Sequence, residues 1–298
     1  MMSIIDDLKH QYKTGTALIK FIFINVAVFI LVHLIGLLIF FFTGVSGSSM
    51  VAYWLALPAD FGQLILKPWS IITYMFLHEG FLHIAFNMLI LYFGGQIFLQ
   101  FLDAKKLIGT YILGGISGGL LFILTFNIFP VFNEIVSGAL ALGASASVMA
   151  VLIAIAAYVP NYTVRLMLLG NVKLKYIALF YVIMDIISIP QGNAGGHIAH
   201  LGGAFFGFYF IYRLRNGKDI TVGVNRLLNY IAHLFSSKRK MKVVYKNPGK
   251  TKSDVAYNAQ KATNQQKIDA ILDKISKSGY DSLSKEEKAI LFDASSKK

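Results

Sequence analysis

Apolar residues fall in long, nearly continuous runs between residues 21 and 214, and short polar segments separate the runs. A helix needs about 20 apolar residues to cross the hydrocarbon core of a bilayer. A surface helix of a soluble protein would instead repeat its apolar residues at every third or fourth position. The pattern predicts an all-α fold, a polytopic membrane helix bundle of six spanning helices, at 21–42, 71–102, 107–129, 139–160, 176–190 and 197–214.

Small residues gather in three of these spans. The first turns of the fourth span, around Ser145, carry mainly Gly, Ala and Ser side chains. Small side chains let neighbouring helices approach closely, so this span is predicted to lie at the centre of the bundle. The matching small residues of the third and sixth spans are Gly114, Gly115, Gly118, Gly119, Gly203 and Gly207.

The segment between the first two spans, residues 43–70, is apolar and aromatic but is interrupted by Pro58, Asp60 and Gly62. It is too broken to span the membrane and too apolar to lie in water. Trp side chains prefer the headgroup region of a bilayer. We therefore predict a loop half-sunk in the interface, with Trp54 and Trp69 at headgroup depth.

The polar remainder predicts four regions along the chain. Residues 1–20 form a cytoplasmic N-terminal segment, 21–215 the membrane domain, 216–262 a juxtamembrane linker and 263–298 a small cytoplasmic helical hairpin. In the linker, 222–235 reads as an amphipathic helix on the membrane, and the basic run 238–242 would meet anionic lipid. Capping boxes at 263–266 and 284–287 predict the two helices of the hairpin.

Composition agrees with the apolar pattern. The hydrophobic share is 56% and the mean hydropathy +0.61, which exceed the values of soluble domains and indicate an integral membrane protein. The absence of cysteine excludes disulfides, thiolate metal sites and a cysteine nucleophile. No cofactor is expected.

The net charge of +13 could suggest nucleic-acid binding, but the basic residues lie mostly in flanks and tail, so no nucleic-acid partner is expected. Lys and Arg precede the first span and follow the second, fourth and sixth. The opposite loops carry only Lys67. Cytoplasmic loops are enriched in Lys and Arg, so both termini are predicted to be cytoplasmic.

Polar and ionisable side chains inside a membrane are costly, and each is by default a candidate for function. The candidates in this chain are His33, His78, His83, Asn87, Ser145, Ser147, Asp185, His197 and His200.

Two classes of protease fit these residues poorly. A zinc protease motif places two His four residues apart on one helix face. His78 and His83 are five apart, which turns the second ring roughly 140° from the first. Some other site built from four His stays open, without a carboxylate placed as its base. An aspartyl protease needs two carboxylates that share a proton, and only Asp185 lies well inside a span.

The residues that a serine hydrolase requires are present in the sequence. His83 and Asn87, four residues apart, share one helix face and can donate hydrogen bonds to one point, as a developing oxyanion requires. His200 can act as general base, on a span whose glycine stripe faces the start of the Ser145 span. Ser145 and His200 are predicted at similar depth, on the non-cytoplasmic side.

At these residues the chain resembles the rhomboid family of intramembrane serine proteases. The resemblance covers about residues 15–215 and keeps the order and spacing of the family's motifs. The matching pieces are Trp69, the run HEGFLHIAFNM from His78 to Met88, Gly143–Ala146, and Ala199–Gly203 followed by Gly207.

The resemblance implies Ser145 as nucleophile and His200 as base, without a carboxylate as a third member. It also implies that His83, Asn87 and the backbone N–H of Ser145 form an oxyanion hole. The implied substrates are transmembrane proteins, cut in or beside their helices within a lipid bilayer. The tail is similar to the cytosolic extension of rhomboids from Bacteroidetes-type bacteria, which implies a bacterial cytoplasmic (inner) membrane.

Three positions depart from the family's pattern. Ala146 follows the nucleophile where Gly is usual, and Met149 stands where an aromatic residue often packs on the catalytic His. Ser70 replaces the Arg that usually follows Trp69. None of these changes removes a chemical group from the predicted site.

Other interpretations stay open. The chain could be a catalytically inactive rhomboid-like protein that binds membrane clients. A transporter is disfavoured because no repeat of three spans is evident. Structural roles are the simplest interpretation of His33, His197 and Ser147, and His78 is expected to shape the mouth of the pocket. Asp185 receives no role.

Overall fold

A computed structural model of the chain describes residues 14–167, 170–235 and 254–296, together with residues 6 and 12. Contacts divide the chain into two units, 1–237 and 238–298, which are described separately.

Twelve helices are described, and they follow the predicted order. The first unit contains α1 Ala17–Thr43, α2 Gly47–Leu55, α3 Phe61–Leu66, α4 Ser70–Thr73, α5 Phe81–Phe101, α6 Ala104–Ile128, α7 Ser145–Tyr158, α8 Leu174–Ser188, α9 Ala194–Arg215 and α10 Val222–Phe235. The second unit contains α11 Asp254–Ser278 and α12 Lys285–Ser296. Two short antiparallel ribbons pair β1 Leu57–Pro58 with β2 Leu140–Ala141, and β3 Thr163–Leu166 with β4 Gly170–Lys173.

Four helices in the described part of the chain are long and apolar enough to cross a membrane. They are α1, α5, α6, and α8 with the 3₁₀ turn that extends it to Gln191. Helix α7 is apolar but has only 14 residues, and α9 carries several glycines and two arginines in its last turn. The all-α membrane bundle is confirmed, whereas the count of six spanning helices stays a prediction.

Helix α7 lies at the centre of the bundle. Every residue from Ala146 to Ala156 is buried, and α7 packs against α5, α6, α8 and α9. Close approach is possible because glycines face it. A Cβ added at Gly118 would lie 2.6 Å from the Ala146 Cβ, and one at Gly203 would overlap the Ala146 carbonyl oxygen. The small-residue stripes predicted from the sequence are therefore the surfaces on which these helices meet.

The segment between α1 and α5 is more regular than predicted. Instead of a loop, it forms α2, α3 and α4, and Asp60 caps α3 by accepting a hydrogen bond of 2.8 Å from the Gln63 N–H. Short helices pair part of their backbone groups internally, which favours them over an open loop where water is scarce. Trp69 Nε1 donates to the Trp54 carbonyl over 2.9 Å, and about half of each ring is exposed.

The second predicted span begins too early. Residues 70–76 form α4 and a 3₁₀ turn, and the chain is extended at Leu77 and at Gly80 before α5 starts at Phe81. Glycine at 80 weakens helix continuation because it has the most backbone freedom to lose. His78 therefore precedes the helix that carries His83 and Asn87.

The predicted amphipathic helix 222–235 is confirmed as α10, with the same bounds. It belongs to the first unit: Thr221 is fully buried against Gly109, and Asn225 Nδ2 donates to the Lys105 carbonyl over 3.0 Å. The basic run 238–242 lies outside the described residues.

One of the two predicted capping boxes is wrong. Helix α11 begins at Asp254, inside the predicted linker, and the Thr263 hydroxyl donates to the Ala259 carbonyl in mid-helix. The run before Thr263 contains Ala, Gln and Lys, which are good helix formers, so the helix extends past the predicted cap.

The second capping box is confirmed. The Ser284 N–H donates to Glu287 Oε2 over 2.8 Å, and the Glu287 N–H donates to Ser284 Oγ over 3.2 Å. The hydrogen bond from Lys274 and then that from the Ser284 backbone lower the pKa of the Glu287 carboxyl. The stability that the ionised Glu287 carboxylate contributes is thus present at neutral pH and is lost as the pH falls through the pKa of Glu287 in the folded protein.

The distribution of Lys and Arg makes the topology testable. Reporter domains fused in Lys- and Arg-rich loops should report the cytoplasm, because such loops are retained there. Reporters in the opposite loops should report the other side. A cytoplasmic signal at Ser48 would contradict the six-span arrangement. The cytoplasmic fusion points are Lys106, Lys175 and Lys218, and the opposite ones are Ser48, Glu134 and Asn193.

Candidate active site

Ser145 is the first residue of α7, directly after a backbone turn that requires glycine. Gly143 has a φ of +129°, and its N–H donates to the Tyr74 carbonyl over 2.9 Å. A Cβ there would lie 3.0 Å from His83 Cε1 and Nε2, and 3.4 Å from Ser145 Oγ. The absence of a side chain at Gly143 therefore leaves room for both the His83 ring and the Ser145 hydroxyl.

Ser145, His200, His83 and Asn87 all line one cavity of about 560 Å³. The four side chains come from α7, α9 and α5, and β2 lines the cavity beside them. The remaining lining residues are Glu79, Leu82, Phe86, Ile90, Leu140, Ala141, Leu142, Val148, Met149, Tyr181, Asn193 and Gly196.

Hydrogen-bond donors are available beside Ser145. The first N–H groups of a helix have no partner within it, and Ser145 opens α7. These groups also carry the positive end of the helix dipole. Asn87 is buried, and its Nδ2 donates to the His83 carbonyl over 2.9 Å, which fixes the amide on the face of α5 that lines the cavity. The cavity that Ser145 lines therefore contains both kinds of donor.

A carboxylate lies beside His200, although the resemblance implies a pair of serine and histidine without one. Asp185 Oδ1 lies 2.8 Å from His200 Nδ1 and 2.8 Å from His197 Nδ1. Asp185 is buried, with 6% of its surface exposed, and its Oδ2 has no hydrogen-bond partner among the described residues. Asp185 and His197, which received no catalytic role from the sequence, thus belong to the surroundings of His200.

A signal for this contact was present in the sequence. Asp185 and His197 stand at equal sequence distance on either side of Gln191, where the chain turns between α8 and α9. In an antiparallel helix pair, such residues lie at the same depth. Which faces of the two helices meet depends on packing, and the sequence alone does not give it.

Among the described residues, these three form the group whose possible ligand atoms lie close enough together to hold a metal ion. The ligand atoms of Asp185, His197 and His200 all lie within 4.8 Å of one another. In the structure these residues contact one another directly, through Asp185 Oδ1 and the Nδ1 atoms of the two histidines. The expectation of a metal-free site stays a prediction.

The other polar candidates lie outside this cavity. His33 Nδ1 is 2.9 Å from the carbonyl of Phe29 on its own helix, and the Ser147 hydroxyl points to Met75 Sδ at 3.8 Å. His78 is buried, and neither ring nitrogen has a partner among the described residues. His33 and His78 line a second cavity of about 420 Å³.

The structure shows the surroundings of two residues that depart from the family's pattern, Ala146 and Met149. Ala146 is buried between Gly118 and Gly203, where a larger residue would force the helices apart. Met149 lines the cavity with Ser145 and His200, so its flexible thioether occupies a wall of the site.

Comparison with known proteins identifies the family. The family profile described as the Rhomboid domain matches residues 66–217, which is half of the chain and includes every residue of the cavity. The chain belongs to the rhomboid family. It is accordingly a multi-pass membrane protein of that family. A second profile, described as a family of unknown function (DUF6576), matches residues 252–298.

Several curated rhomboid relatives are similar over part of their length. RHOMBOID-like protein 12, mitochondrial, from Arabidopsis thaliana is 27% identical over 50% of this chain and 47% of its own length. Presenilin-associated rhomboid-like protein A, mitochondrial, from Danio rerio is 32% identical over 46% of this chain and 35% of its own. The Mus musculus presenilin-associated rhomboid-like protein, mitochondrial, is 26% identical over 55% and 41%. The chain thus spans less than half of these relatives.

Proposed function

We propose that this rhomboid is an intramembrane serine endopeptidase that cuts transmembrane proteins in or near their helices. The observation that carries the proposal is that Ser145, His200, His83 and Asn87 line one cavity at the N-terminus of α7. A nucleophile, a base and donors for an oxyanion are the groups that acyl transfer requires.

In the first step, Ser145 Oγ attacks the substrate carbonyl carbon, and the Oγ proton passes to His200 Nε2. A hydroxyl needs such a base at neutral pH. His200 Nδ1 already faces Asp185, so Nε2 is the nitrogen that remains to take the proton. The bond that forms is Oγ–C, and the carbonyl electron pair moves to its oxygen.

In the second step, the oxyanion collapses and the C–N bond breaks. Asn87 Nδ2, the His83 ring and the N–H of Ser145 stabilise the negative charge before collapse. His200 returns its proton to the leaving amine. Water then attacks the acyl-enzyme with the same base, which releases the new carboxyl end and restores Ser145. Protons pass only between Ser145, His200, the leaving amine and water, so the proposal includes no cofactor.

The partners follow from the site's position in a membrane bundle. The substrates are transmembrane protein segments, delivered through the lipid bilayer. We place the protein in a bacterial cytoplasmic membrane, which the resemblance of the tail favours, with both termini in the cytoplasm, which the distribution of Lys and Arg supports. The cavity then opens on the non-cytoplasmic side.

The proposal can be tested with purified full-length protein in detergent. A fluorophosphonate probe should label the wild type and leave Ser145→Ala unlabelled, and a model transmembrane substrate should be cut only by the wild type. Binding of the substrate without cleavage or labelling would instead support an inactive rhomboid-like binding protein.

Deleting the second unit should leave catalysis intact. Every cavity residue precedes residue 201 and so belongs to the first unit, and a chain ending after Phe235 should therefore keep kcat/KM within about twofold. A chain ending after Asp219 also loses Thr221 and Asn225, which pack on α6, and should unfold at a lower temperature. Loss of activity in the folded Phe235 truncation would show that the tail takes part in catalysis.

A further inference from the structure

We propose that Asp185 is a positioning residue for His200: its carboxylate holds the imidazole as the Nδ1–H tautomer, with Nε2 directed to Ser145. The proposal rests on the proposed function, since it concerns the base of the same reaction. It adds a third residue to the expected pair of serine and histidine.

The contacts of Asp185 indicate which histidine nitrogens carry hydrogen. An ionised carboxylate only accepts hydrogen bonds. Asp185 Oδ1 lies 2.8 Å from Nδ1 of both His197 and His200, so each Nδ1 donates its hydrogen to that oxygen. The tautomer of a histidine is set by the hydrogen bond that its other nitrogen makes. His200 Nε2 is thereby left without a hydrogen and can accept one.

Burial explains why this contact is well defined. Asp185 is 6% exposed inside a helix pair, and a carboxylate in such a place needs hydrogen-bond donors to offset its lost hydration. The two imidazoles, whose ring planes are 83° apart, supply those donors from one turn of α9. Rotation of the His200 ring would break its contact and cost part of this compensation.

The two histidines differ in what they reach beyond Asp185. His200 lines the cavity with Ser145, whereas His197 is not among the lining residues. A carboxylate that only tied α8 to α9 would require no contact with the cavity. The link to His200 therefore places the negative charge behind the base, where it also stabilises the imidazolium that forms when Ser145 gives up its proton.

The test uses purified full-length variants in detergent and two independent measurements. Asp185→Asn, of the same size, should lower kcat by about 10²-fold or more with KM within about twofold, because the interaction acts in the transition state. Asp60→Asn makes the same chemical change at the cap of α3, outside the cavity, and should keep full kcat, since Asn caps a helix as well as Asp.

The second measurement is ¹⁵N NMR of the histidine side chains, which distinguishes the two tautomers without any turnover. His200 should show protonated Nδ1 and unprotonated Nε2 in the wild type, and should lose this state in Asp185→Ala. Because His197→Ala keeps the Asp185–His200 contact, it should retain the His200 tautomer. An unchanged His200 tautomer in Asp185→Ala would overturn the proposal.

The kinetic outcomes separate this proposal from the proposed function. A wild type that neither cleaves nor reacts with the probe would refute the protease, while the tautomer measurement would still decide the role of Asp185. An active wild type with full kcat in Asp185→Asn would refute the positioning role alone. Should Asp185→Asn fail to fold, the folded Asp185→Glu variant takes its place: the His200 tautomer and kcat kept together or lost together would support the proposal, and the loss of one without the other would contradict it.

Discussion

Replacing Ser145 or His200 with alanine should each abolish turnover, with a loss on the order of 10⁶-fold in kcat, as for other serine nucleophiles and their bases. Without the base, the hydroxyl keeps its proton and cannot attack. Without the hydroxyl, the base has no proton to take. The double variant should be no worse than either single one, because the two residues act as a unit.

The measurement is cleavage of a model transmembrane substrate, with thermal unfolding in detergent to show that each variant is folded. His33→Ala is the matched control, since His33 faces the carbonyl of Phe29 on its own helix outside the cavity. Full activity in Ser145→Ala would overturn the assignment. So would an active, folded His200→Ala protein.

The membrane bundle was predictable because its signals are local. Long apolar runs identify the spans, and the Gly203 and Gly207 stripe identifies the face of α9 that meets α7. These features depend on side-chain size and hydrophobicity, which are read directly from the sequence. The start of α5 was missed because Gly80 interrupts a segment that is otherwise apolar enough to span.

The site was predictable where helix geometry or a stripe of small residues gives the surfaces that face each other. The spacing of four between His83 and Asn87 gives a shared face from helix geometry alone. The contact of Asp185 with His200 depends on how α8 and α9 turn about their axes, which only packing determines. For the same reason, the close approach of the His83 ring to Gly143 could not be predicted. Contacts between helices that no small-residue stripe marks therefore emerge only from the packing.

Asn87→Ala should lower kcat by about 10²–10³-fold and leave residual cleavage, because one lost oxyanion donor costs that much in a dry site. KM should stay unchanged, since the donor meets its charge only in the transition state. His83→Ala should behave alike, since the His83 ring and the Ser145 hydroxyl both lie close to Gly143. Because the N–H of Ser145 stays in both variants, neither should match the loss in Ser145→Ala. Kinetics of model-substrate cleavage give kcat and KM separately.

Asn127→Ala is the matched control for Asn87→Ala. Asn127 Nδ2 donates to the carbonyl four residues back, Ile123, over 2.8 Å, as Asn87 Nδ2 does to His83 over 2.9 Å. Asn127 lies outside the cavity and also donates to Ala59, so its loss should lower the unfolding temperature and leave kcat unchanged. An unchanged kcat in Asn87→Ala, or equal losses in the two variants, would show that the Asn87 amide supports the helix rather than the oxyanion.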